Sequence, residues 1–92
     1  MFSYRVGFPG WKIAAHLGVP LKVVVEVMYD SEAKVFVASS DDFNPQSGIV
    51  AEAGTWDELV NEVNIQIEEA MEFIFNNKHE DDVVPYFVSA SA

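Results

Sequence analysis

Ninety-two residues, half of them apolar and 13% aromatic, can enclose one small hydrophobic core but hardly two, so a single domain is expected. Fifteen acids against five bases give a net charge of −10, which argues against phosphate-backbone binding through lysine and arginine and points to a basic or neutral partner. The absence of cysteine removes disulfides, thiol nucleophiles and thiolate metal sites together and is compatible with a reducing cytoplasm.

The first 22 residues hold Arg5, Lys12 and Lys22 and no acid, a charge of +3, whereas the remainder sets 15 acids against Lys34 and Lys78, a charge of −13. Glycines and a proline interrupt every apolar run of MFSYRVGFPGWKIAAHLG, so the opening lacks the continuous core of a secretory signal. No segment nears the roughly 20 apolar residues of a membrane span, and a soluble cytoplasmic domain is expected. Residues 1–20 read as an N-terminal extension in which WKIAAHLG makes a short helix ended by Gly18 and Pro20.

The run LKVVVEVMY, residues 21–29, alternates Leu21, Val23, Val25, Val27 and Tyr29 with Lys22, Val24, Glu26 and Met28, the period of a strand with one wholly apolar face. After the polar break DSE the alternation resumes in AKVFVAS, predicting a second strand over 33–40 and a hairpin between the two. GIVAEA predicts a third strand over 48–53 after the loop DDFNPQS. The clearest helix follows, over 56–76, where Leu59, Val60, Val63, Ile67, Ala70, Met71 and Ile74 recur at three- and four-residue steps. Thr55 and Glu58 have the spacing of a capping box, and Asp57 and Glu58 suit the positive end of the helix dipole. NNKHEDD is a polar loop, and VVPYFVS predicts a fourth strand over 83–88, placed at an edge because Pro85 cannot donate to a ladder. The expected fold is α+β: a small antiparallel sheet covered on one face by one long helix, in the order βββαβ over residues 21–92.

Four carboxylates in YDSEAKVFVASSDD raise the question of metal chemistry. Asp30 and Glu32 flank the hairpin turn while Asp41 and Asp42 follow the second strand, and at ~3.3 Å per residue the two pairs stand about 20 Å apart, too far for one ion. The strand interiors offer only Glu26 and Glu52 to a metal-dependent nuclease. His16 and His79 have no second ligand at zinc spacing, and Ser39 and Ser40 have no nucleophile-elbow pattern. IAAHLGVP supplies one helix where a helix-turn-helix reader needs two, so direct nucleic-acid binding is not expected. No catalytic, metal or cofactor residue is assigned, and no enzyme activity is expected.

From residue 21 to about 75 the chain resembles the HicB-like antitoxin domains of bacterial HicA/HicB toxin–antitoxin pairs. The resemblance is carried by the acidic turn DSEAKVFVASSDD, by Gly48 leading into IVAEAGTWDEL, and by the long amphipathic helix after Thr55, in that order. It implies a partial ribonuclease-H-like βββαβ fold without ribonuclease activity. The implied partner is a HicA-like toxin, a small basic ribonuclease of double-stranded-RNA-binding fold. No DNA-binding domain follows Val88 in this sequence, so the expected module is a lone or degenerate antitoxin. The alternatives are a homodimerisation module and, less favoured, a metal-dependent nuclease of the same fold. Asp41, Asp42, Phe43, Glu80, Asp81 and Asp82 are the expected partner contacts. A homodimer is expected from the uncovered sheet, with the aromatics Phe8, Trp11, Tyr86 and Phe87 as its anchors.

Overall fold

In the computed structural model, which describes residues 3–43, 48–75 and 83–89, the chain runs β1 (Tyr4–Arg5), α1 (Trp11–His16), β2 (Leu21–Asp30), β3 (Val35–Ser40), β4 (Ile49–Ala53), α2 (Trp56–Phe75) and β5 (Val83–Ser89). The alternation in β2 holds: Leu21, Val23 and Val25 are fully buried, while Glu26 and Met28 on the opposite face are exposed. β2 and β3 pair antiparallel with Val27 opposite Ala38, and β3 and β4 pair antiparallel with Ala38 opposite Ala51. Asp30 closes the hairpin, its Oδ1 accepting the Glu32 and Ala33 amides at 3.0 and 3.2 Å, and Lys34 takes the left-handed φ of 57° that the turn requires.

α2 is one uninterrupted helix whose buried residues are Leu59, Val63, Ile67, Ala70 and Met71. The Glu58 amide donates to Thr55 Oγ1 at 3.2 Å, so the expected cap is in place. The helix stripe and the apolar faces of β2, β3 and β4 form one buried cluster with Val6, Trp11 and Phe43. Among the described residues no helix is long and apolar enough to cross a membrane.

β5 lies at an edge, as Pro85 suggests, but it joins β2 in parallel over Leu21–Val83 to Val27–Ser89. The direction follows from the connections: β4 runs with β2, α2 returns the chain, and the next strand therefore starts from the same end as β2. β1 also pairs with β2 in parallel, Tyr4 opposite Leu21, making the sheet mixed. The sheet order is thus β5–β2–β3–β4, with β1 beside the first residues of β2 on the side that β3 occupies further along. Val6, Trp11, Ala14 and Ala15 in the N-terminal segment are buried, so this segment contributes to the same core.

Candidate interaction surfaces

The break in the sheet between β1 and β3 would leave the backbone of Val24 unpaired, and two side chains fill the gap. Asp42 Oδ2 accepts the Val24 amide at 2.8 Å, and the Ser40 hydroxyl donates to the Val24 carbonyl at 2.7 Å. Asp42 also takes the Arg5 guanidinium as a fork, Nη2 at 2.9 Å and Nε at 3.1 Å, and this hydrogen bonding pushes the Arg5 pKa above its ordinary value. Gly7 follows at φ 96°, where an added Cβ would stand 2.6 Å from the Asp42 carbonyl oxygen, so the close approach and the backbone both demand glycine. Asp42 is therefore a clamp between three strands rather than a partner contact.

Two further expectations need correcting. Phe43 is only 1% exposed and meets the Trp11 ring edge-on at 6.0 Å, so both are core residues and offer no surface to a partner or a second copy. Trp11 reaches Phe75 as well, at 5.8 Å. Asp41 and Phe8 are exposed, and Phe8 lies beneath the Arg5 guanidinium at 5.2 Å. Phe87 is half-buried against Trp56 at 4.9 Å, leaving Tyr86 exposed on the other side of β5. Glu80, Asp81 and Asp82 lie outside the described residues.

Glu26 and Glu52 share a sheet face but stand on β2 and β4, two strand spacings or ~10 Å apart, too far to share an ion. Among the described residues no three histidine, cysteine, aspartate or glutamate side chains are grouped to hold a metal. A cleft of about 420 Å³ opens where the β2–β3 hairpin outruns β5, lined by Tyr29, Phe36, Trp56 and Phe87. Its rings form a chain of contacts at 5.0, 5.9 and 4.9 Å.

The outer side of α2 was not singled out from the sequence. Asp57, Glu58, Glu62, Glu68, Glu69 and Glu72 are all exposed, and the helix has no lysine or arginine. At 100° per residue these acids fall within an arc of about 140°. Two apolar side chains stand beside them, Ile65 and the 69%-exposed Phe73. An exposed apolar pair with a charged rim is the arrangement of a protein-docking face. The signal was available as the complement of the apolar stripe: every acid of the segment falls where the stripe does not.

Both sheet edges are blunted. Gln66 reaches from α2 to the outer edge of β4, where its Oε1 accepts the Val50 amide at 3.0 Å and its Nε2 donates to the Val50 carbonyl at 2.7 Å. On β2 the backbone of Lys22 and Val24 faces β1 and β3, so Val23 and Val25 face β5. The outward backbone positions of β5 then include Pro85, which has no N–H to offer a new strand. What stays open is the sheet face opposite α2, with Val50 71% and Tyr86 57% exposed and Met28 and Val84 beside them.

The chain belongs to a family described as a domain of unknown function, DUF1902, which matches residues 22–92, more than half of its length. No curated protein and no solved structure matches it.

Proposed function

We propose that this chain is a HicB-like antitoxin module that binds a small basic HicA-type ribonuclease and does not itself cleave RNA. The carrying observation is the outer side of α2, six exposed carboxylates without a base around Ile65 and Phe73. Such a surface attracts the positive field with which an RNA-binding toxin holds its substrate, and opposite fields accelerate encounter. Once seated, the antitoxin occupies surface that RNA would use, while Ile65 and Phe73 supply the apolar contacts that slow dissociation. The order of the acidic turn, Gly48 and the Thr55 cap supports the same reading by resemblance.

The test is direct binding to a basic, histidine-containing protein encoded beside this gene, with RNA cleavage measured in parallel. Tight binding that weakens with salt, together with loss of the toxin's ribonuclease activity, is expected. Metal-dependent RNA cleavage by this chain, abolished by Glu26→Gln, would overturn the proposal in favour of a nuclease.

A further inference from the structure

The open sheet face has charges of both signs in a particular order. On β2, Lys22 and Glu26 flank Val24 on this face, and the ladder sets Val84 level with Lys22, Tyr86 with Val24, and Val88 with Glu26. The Lys22 ammonium already rests over the Tyr86 ring at 5.6 Å. The face therefore reads plus, aromatic, minus along the strand direction, with valines beside both charges.

We propose that a second copy of this chain covers the face, the two sheets stacking about a two-fold axis that crosses the strands at the level of Val24. That rotation reverses the strand direction and exchanges the two ends of the pattern. Each Lys22 then faces Glu26 of the other copy, each Val84 faces Val88, and the two Tyr86 rings meet near the axis. A self-complementary patch of this kind is what a two-fold contact needs. A partner of single sign would satisfy one end and oppose the other.

Two other routes to self-association are hindered by the same structure. Strand addition is hindered by Gln66 at β4 and by Pro85 at β5. The outer side of α2 repels its own copy, yet it does not oppose the stacked pair. With helices outermost and layers roughly 10 Å apart, the two helix axes stand roughly 30 Å from each other and their acidic sides further still, beyond the Debye length of about 8 Å in physiological salt. The inference does not depend on any toxin, since the helix side remains free in the pair.

The chain has no cysteine, so one introduced thiol reports on one position. Tyr86→Cys should be joined to its counterpart in the second copy by a short bis-maleimide that spans the roughly 10 Å between stacked sheets, whereas Val50→Cys, exposed on the same face but three strands over and level with Glu26, off the axis, should not. In sedimentation equilibrium Lys22→Glu and Glu26→Lys should each weaken the dimer about tenfold, and the double variant should return to within about threefold of wild type. A wild-type species of 10.2 kDa at high micromolar concentration would overturn the proposal. So would equal crosslinking at both thiols, or a double variant no tighter than the singles.

Discussion

Where α2 crosses the sheet, Val23, Val25 and Ala38 join Leu59, Val63 and Ile67 in one buried cluster, and every charged side chain the helix leaves to solvent is acidic; on the opposite face Val50, Met28 and Tyr86 stay open between charges of both signs. The first side buries its apolar stripe within the chain and carries charge of one sign outside, around Ile65 and Phe73. The second still has apolar area to bury, and its mixed charge tells which arrangement would bury it. A net charge of −10 averages over this division and conceals it.

The largest effect is expected on the covered side. Ile67→Ala should cost ~2–5 kcal/mol, because a buried side chain shared between helix and sheet leaves a cavity that two rigid elements cannot collapse. A thermal melt reads this directly, and an unchanged midpoint would mean that the stripe does not hold the layers together. Asp42→Ala comes next, at about 1–3 kcal/mol, since it strips the Val24 amide of its acceptor and leaves the Arg5 fork empty. Urea denaturation at constant m-value is the measurement. Asp42→Ala should leave toxin binding unchanged in the folded protein, which separates the clamp from the docking surface.

The covered side was largely legible in the sequence. Period-two alternation in LKVVVEVMY and the three- and four-residue steps of the helix report burial locally, and burial is what formed those elements. The clamp was not legible, because Asp42 acts on Arg5 across 37 positions and on Val24 across 18, and an acid after a strand looks like solvated loop. Phe43, set among polar neighbours, has no periodic pattern to mark it as core; it is buried in the common cluster, where it meets the Trp11 ring from the far end of the chain. β1 is two residues long, and its pairing is dictated by the strand it joins. Edge protection by Gln66 depends on where the helix passes β4, which a helix pattern alone does not contain.

A smaller effect bears on the open side. Gln66→Ala should cost about 1 kcal/mol through its two lost hydrogen bonds, and it should also free the Val50 backbone at the edge of β4. Concentration-dependent association beyond a dimer, followed by light scattering, would show that the side chain guards the edge. Thr55→Ala, at the start of α2, should lower stability by ~1 kcal/mol without altering association at all.

The central claim is that the acidic outer side of α2 receives a basic toxin. It is tested most directly by replacing Glu62, Glu68, Glu69 and Glu72 with glutamine and measuring toxin association rates at low and high salt. The account predicts association slowed at least about tenfold at low salt, with most of the salt dependence gone and the melting temperature maintained. Wild-type rates and an undiminished salt dependence in that variant would contradict it.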